Sequence, residues 1–294
     1  MEQEKLKVVK ERDGFVAALD QSGGSTAKTL ERYGISSDKW SSEEEMFDLI
    51  HEMRKRVFTS NVFTSEKILG AILFYKTMES KIDGEYTSEY LWNKKKIVSF
   101  LKVDKGLEDE ADGVKLMKDI PDLDDQLDEA NKLGVFGTKM RSVILSANRE
   151  GIKKIVKQQF EFAKRICDKG LVPIIEPEVD INIPDKAEAE DILKEEIKNV
   201  LDSWNENDLI MFKFTIPTKA NLYLDLYEYK CLVRIVALSG GYTLDDAVIL
   251  LKQNDRMIAS FSRALLQNLS YNQTDEEFEK ELKAAIDVIY EASI

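Results

Sequence analysis

The chain has 294 residues, 43% of them hydrophobic, and a formal net charge of −13 from 55 acidic and 42 basic side chains. That length suits one ordinary domain with a sizeable core, and no Pro-, Gly- or Ser-rich linker divides residues 1–294. The acidic balance argues against a nucleic-acid partner, whose phosphates require a basic surface, and no apolar run reaches the roughly 20 residues of a membrane span.

Eight short apolar runs follow one another along the chain, most of them closing on a charged or phosphate-compatible group. They are Phe15 to Asp20, Ile68 to Phe74, Ile97 to Asp104, Val135 to Arg141, Leu171 to Glu178, Leu209 to Phe214, Leu232 to Ser239, and Ile258 to Arg263. Between most of them lies helical periodicity: Ile152, Ile155, Val156, Ala163, Ile166 and Cys167 form one apolar face, Ile192, Ile197, Val200, Leu201 and Trp204 a second, and Leu244, Ala247, Val248 and Leu251 a third. Strand alternating with helix eight times predicts an α/β TIM (β/α)8 barrel as a single domain. The longest gap, between strands 1 and 2, holds an extra helical segment, with Ser42 and Glu45 as a capping box before Met46, Leu49, Ile50 and Met53. The start, Met1 to Lys7, lacks the apolar core of a signal peptide, and two cysteines, Cys167 and Cys231, make no disulfide framework; a reduced, cytoplasmic setting is expected.

Acidity concentrates on solvated helices such as Glu188 to Glu196 and Glu276 to Glu281, whereas the strand ends carry Lys102, Lys105, Lys139, Arg141, Lys213 and Arg263. A positive pocket in a negative protein suits a small anionic substrate. The one histidine, His51, lies off the apolar stripe of its helix and is expected to be exposed and inert. Neither a histidine-based metal site nor a Ser-His-Asp triad is therefore readily assembled, leaving lysine and carboxylate chemistry or an oxygen-ligated metal.

Lys213 interrupts the run Leu209 to Phe214, which otherwise reads as a buried strand. A buried ammonium needs a partner or loses its proton, and the neutral amine is a nucleophile. Side chains two apart on a strand share a face, which pairs Glu176 with Glu178, Lys139 with Arg141 and Lys102 with Asp104. Neighbouring strands lie about 4.8 Å apart, so Lys139, Glu176 and Lys213 can surround one reacting carbon. A lysine snorkelling from an edge strand, or a structural ring of salt bridges, is the competing reading. Ser239-Gly240-Gly241 after strand 7 and Arg263 after strand 8 occupy the recurrent phosphate position of such barrels. Ser22-Gly23-Gly24-Ser25-Thr26 after strand 1, approached by Lys105, offers a second anion site. Either glycine-containing loop alone is also ordinary turn chemistry.

Ala18-Leu19-Asp20-Gln21-Ser22, Lys102-Val103-Asp104-Lys105-Gly106, Lys139-Met140-Arg141, Glu176-Pro177-Glu178, Lys213, Leu238-Ser239-Gly240-Gly241 and Ser262-Arg263-Ala264-Leu265 together resemble the ordered motifs of class I fructose-bisphosphate aldolase, over residues 14 to about 270. The resemblance implies a lyase of glycolysis and gluconeogenesis, without metal or cofactor, that reversibly cleaves fructose 1,6-bisphosphate to dihydroxyacetone phosphate and glyceraldehyde 3-phosphate. It implies Lys213 as the Schiff-base lysine, Glu176 as acid/base in carbinolamine dehydration and Asp20 as the partner of the C4 hydroxyl. Lys139 would stabilise charge and Glu178 tune the cluster, with Arg141 beside them as a binding residue. Ser239, Gly240 and Arg263 would hold the 1-phosphate, and Ser22, Ser25 and Lys105 the other. A homo-oligomer is a further expectation from the family.

Two departures stand out. Thr29 follows Lys28 where many relatives carry arginine, so a contact to the sugar or its phosphate is either missing or supplied by Arg32, and the chain closes on Tyr290 to Ile294 without the long tail of animal-type members. The rival readings are another Schiff-base aldolase or transaldolase, a magnesium-dependent enolising barrel using Asp20, Asp104, Glu176 and Glu178, and a non-catalytic scaffold.

Overall fold

Alternating apolar runs and amphipathic helices do produce the expected α/β architecture. In a computed structural model describing residues 2–22 and 24–294, eight strands form a nearly closed, TIM-barrel-like sheet. They are β1 (Phe15–Leu19), β2 (Ile68–Leu73), β3 (Val98–Lys102), β4 (Gly137–Ile144), β5 (Val172–Val179), β6 (Ile210–Thr215), β7 (Leu232–Leu238) and β8 (Met257–Ala259). Every ladder from β1 through to β8 is parallel. Strand 8 is shorter than its apolar run suggests, because Arg263 begins a short helix, Arg263–Leu266.

Two glycines inside strands have a packing reason. Phe100 of β3 points into the barrel, and a Cβ on Gly70 of β2 or Gly137 of β4 would stand 2.9 Å from its ring. The ring is thus seated in the space these neighbours leave, and it meets Phe136 edge to face at 5.7 Å. Val16, Ala18, Ile72, Val98, Ile174, Met211, Val236 and Ile258 complete this inner core, and the second, larger core lies between strands and helices.

Helix α1 (Glu2–Glu11), which the sparse apolar pattern of the first residues does not announce, joins Val8 and Val9 to the inner core. Its backbone is tied down by Arg234 of β7, whose Nε donates to the Val9 carbonyl at 2.9 Å. Between β1 and β2 lie α2 (Gly24–Tyr33), a 3-10 turn (Ser37–Lys39) and α3 (Glu43–Thr59), the expected insertion. Ser42 caps α3 through the Glu45 N–H, but the Glu45 carboxylate reaches back to Ser41 N at 2.6 Å rather than to Ser42. The three predicted apolar helix faces fall on Arg149–Asp168, Lys186–Leu201 and Leu244–Leu251. An antiparallel strand, Val114–Lys115, pairs with the end of β4, and a two-stranded hairpin joins Lys81–Ile82 to Glu85–Tyr86; neither is visible from periodicity. Among the described residues no helix is long and apolar enough to cross a membrane.

One expectation about surface charge is corrected. Glu190 is fully buried and paired with Lys186, and Glu196 is 8% exposed and 2.6 Å from Arg149, so this acidic helix is not solvated along its whole length. Both cysteines are free.

Candidate active site

The parallel strands end together, and their last inward side chains surround a cleft of about 340 Å³. On its floor Lys139 of β4, Glu176 of β5 and Lys213 of β6 meet, each no more than 4% exposed. The two oxygens of Glu176 separate the lysines: Oε2 lies 3.2 Å from Lys139 Nζ and Oε1 lies 3.2 Å from Lys213 Nζ. Lys139 also contacts Asp20 at 2.8 Å and Asp104 at 3.7 Å. Lys213 is therefore an interior lysine with a carboxylate partner, and the snorkelling alternative does not apply to it. Pro177 falls where the ladder between β5 and β6 has already stopped at Ile175, so its missing N–H leaves no gap there.

Burial raises carboxyl groups and lowers ammonium groups, so the direction of each shift shows whether burial or charge prevails. Burial would raise the Glu176 carboxyl, yet Lys139, Lys213 and Arg141 hold it below its ordinary 4.5. Asp20, likewise buried, is held far below 3.8 by Lys139 and Lys213. Burial opposes the Lys139 charge, but Asp20, Glu176 and Asp104 outweigh it and raise that group. Glu178 differs: burial raises it, and Arg141, with Nε 2.5 Å from Glu178 Oε2, offsets this only in part. Two carboxylates on one strand face thus have opposite proton affinities.

Around the rim stand the remaining expected residues. Ser239 and Gly240 follow β7 and line the cleft together with Ser262 and Arg263. Gly240 has φ +62°, and a Cβ there would meet Ile181 at 2.9 Å, so both backbone and space select glycine. Arg263 is exposed and makes no ion pair among the described residues. Ser22, just past β1, and Ser25, in the first turn of α2, line the same cleft, and the Ser22 N–H donates to Ser25 Oγ at 3.0 Å; Gly23 of that loop lies outside the described residues.

Lys105 does not join them. It is exposed and turned to Asp122 at 2.9 Å, while Lys102, the inward residue of the same segment, donates to Ser22 Oγ at 2.6 Å. The strand period contains this answer: Lys102 and Asp104 share the inward face, and Lys105 falls on the other. Arg32 lines a larger adjoining cavity of about 670 Å³ with Lys28, Thr29 and Arg263, and does not line the cleft itself.

His51 is half-buried rather than exposed: its Nε2 lies 3.3 Å from the Lys81 carbonyl, and burial lowers its proton affinity. The two-stranded hairpin that carries Lys81 gives no periodic signal. Arg54 escaped the sequence reading because it sits on the same helix among ordinary surface charges. It is fully buried, donating to the Gln21 carbonyl and to Thr77 Oγ1, both at 2.6 Å. Burial brings its guanidinium down to about 10, against the pull of Asp20. Among the described residues no group of three or more His, Cys, Asp or Glu side chains is placed to hold a metal ion.

Known proteins with this architecture agree. The chain is similar over 99% of its length, and 94% of the other's, to fructose-bisphosphate aldolase from Plasmodium falciparum, solved in complex with TRAP and a small-molecule inhibitor, at 18% identity and a TM-score of 0.79. A protein from Corynebacterium glutamicum aligns with 99% of the chain, and 92% of its own, at 12% identity and a TM-score of 0.51. At such identities these matches speak for the fold. The family model for fructose-bisphosphate aldolase class-I matches residues 2–216, through the end of β6 and including Lys139, Glu176 and Lys213, so the chain belongs to the class I fructose-bisphosphate aldolase family.

Proposed function

We propose that this protein is a Schiff-base lyase that reversibly cleaves fructose 1,6-bisphosphate into dihydroxyacetone phosphate and glyceraldehyde 3-phosphate. The observation that carries the reading is the single buried carboxylate of Glu176 standing 3.2 Å from each of two buried lysines. A proton passing from Lys213 Nζ to Glu176 frees the amine lone pair and leaves the carboxyl able to act as an acid. It also removes one of the charges that hold Glu176 ionised, so the two changes favour each other.

The amine then attacks the C2 carbonyl, forming a C–N bond. One proton passes from the nitrogen to the new alkoxide, Glu176 returns its own proton to the resulting hydroxyl, water leaves, and a cationic imine remains. Glu176, a carboxylate again, accepts the C4 hydroxyl proton as the C3–C4 bond breaks: the bond's electrons flow into the imine to give an enamine on Lys213, and glyceraldehyde 3-phosphate departs. Asp20 orients the C4 hydroxyl in this reading. Its ionised state is fixed by Lys139, so its part is to accept a hydrogen bond. Return of that proton from Glu176 to C3 restores the imine, and its hydrolysis, which consumes one water, releases dihydroxyacetone phosphate and the Lys213 amine.

Two anion-compatible clusters line the cleft, Ser239, Gly240 and Arg263 after β7 and β8 and Ser22, Ser25 and Lys102 after β1 and at the end of β3, and they support a bisphosphate over a substrate with one phosphate. Lys102 takes the part assigned to Lys105 by sequence. The magnesium reading is weakened because Asp20, Asp104, Glu176 and Glu178 already face ammonium or guanidinium groups within 4 Å. Borohydride reduction with dihydroxyacetone phosphate in EDTA should leave a mass adduct on Lys213. Lys213→Ala should remove both adduct and turnover while the protein still folds. Absence of the adduct from folded, ligand-bound wild type would sink the mechanism.

A further inference from the structure

The barrel is open at one seam. Seven parallel ladders join β1 through β8, but none joins β8 back to β1 among the described residues. Where a neighbouring strand would accept the Ala259 N–H, the Ser293 hydroxyl does so at 2.9 Å. Toward the cleft the link across the seam is again a side chain. Gln21, just past β1, donates from Nε2 to Ser262 Oγ, just past β8, at 2.5 Å, and lies 3.3 Å from its own strand's Ala18 carbonyl.

Gln21 is gripped from a third side. Arg54 of α3 donates to its backbone carbonyl at 2.6 Å and to its side-chain Oε1 at 3.3 Å, while its other terminal nitrogen holds Thr77 at 2.6 Å. Arg54 is fully buried and has no carboxylate within ion-pair range among the described residues, so these neutral oxygens are its hydrogen-bond partners. A buried guanidinium committed to one loop makes that loop costly to displace. The residues beside the clasp are the ones that matter: Asp20 precedes Gln21, and Arg263 follows Ser262.

We propose that Gln21 is a positioning residue that fastens the open seam of the barrel, holding the strand end that bears Asp20 against the segment that bears Arg263. Floor and phosphate-binding rim are thereby kept in register, although no ladder connects their strands. This rests on the assignment of Arg263 to a substrate phosphate made above.

The test is calorimetric binding of a hexitol 1,6-bisphosphate, which has no carbonyl and cannot form an imine, to wild type, Gln21→Met, Ser262→Ala and the double variant, with melting temperatures taken alongside. Each single change should weaken binding about tenfold, the worth of one net hydrogen bond. The double variant should be no weaker than either single, because both remove the same bond. Unchanged affinity with a lowered melting temperature would make the clasp merely structural and overturn the proposal. Additive losses, or no binding by wild type, would overturn it too. Borohydride trapping on Lys213 in wild type reports separately on the chemistry: a missing adduct with the expected binding pattern would refute the Schiff base and leave the clasp standing.

Discussion

Replacing Lys139 with methionine should destabilise the protein in a way that depends strongly on pH. Lys139 Nζ lies 2.8 Å from Asp20, 3.2 Å from Glu176 and 3.7 Å from Asp104. Glu176 retains Lys213 at 3.2 Å, and Asp104 retains Lys102 at 3.5 Å, but Asp20 keeps no ion-pair partner among the described residues. The loss is therefore set by one stranded carboxylate, about 3–5 kcal/mol for a buried pair broken on one side. In wild type the lowered Asp20 group contributes stability that is present above its ordinary 3.8 and lost as pH falls through its folded value. In Lys139→Met burial acts on Asp20 with its nearest cation gone, so a penalty develops as pH rises above 3.8. The difference between the proteins should be largest near neutrality and shrink as pH approaches 3.8. Urea unfolding at the two conditions measures it, and adding Asp20→Asn should recover at least about 2 kcal/mol at neutral pH. Equal destabilisation at both pH values, or no recovery, would refute the reasoning.

At the rim the expected effects fall on binding. Arg263→Ala should raise KM for fructose 1,6-bisphosphate by about 10- to 100-fold, as for loss of a charged hydrogen-bond donor, with a smaller change in kcat; an unaltered KM would remove Arg263 from the phosphate site. Lys102→Met should raise KM about tenfold whereas Lys105→Met should leave it within about twofold, since only the former faces the cleft. Steady-state kinetics of the pair decides the matter, and equal effects would contradict the assignment of Lys102.

The barrel was legible because it follows from period. Apolar runs and helix faces repeat often enough that errors at single boundaries do not alter the topology, and the same period brings Lys139, Glu176 and Lys213 to one face. Legibility failed where a position depends on tertiary contact. The helix that joins Val8 and Val9 to the inner core has little periodic signal of its own, and β8 ends at Ala259 where its run appeared to reach Arg263. Arg54 is indistinguishable by sequence from Lys55 and Arg56 beside it, yet only Arg54 is fully buried. Lys105 follows from period as well: the alternation that pairs Lys102 with Asp104 puts Lys105 on the outward side, where it meets Asp122.

The charge distribution in the cleft also bears on how the proposed bisphosphate would be distinguished from other anions. The expected positive pocket proves nearly balanced, with Lys102, Lys139, Arg141, Lys213 and Arg263 against Asp20, Asp104, Glu176 and Glu178 among the lining residues. The balance is not uniform with position. On the floor each ammonium is matched by a carboxylate at short range, which holds the charges in place and suits proton exchange more than anion capture. At the edge Arg263 has no ion-pair partner among the described residues, and Lys102 across the cleft is engaged by the Ser22 hydroxyl and more distantly by Asp104 at 3.5 Å. An anion that bound at the centre would meet the Glu176 carboxylate and gain little. One that carries its charges at two ends and an uncharged carbonyl between them meets cations at the ends and the amine in the middle. The acidic exterior does not counter this, because charges beyond about 8 Å are screened at physiological salt while contacts inside the cleft are not.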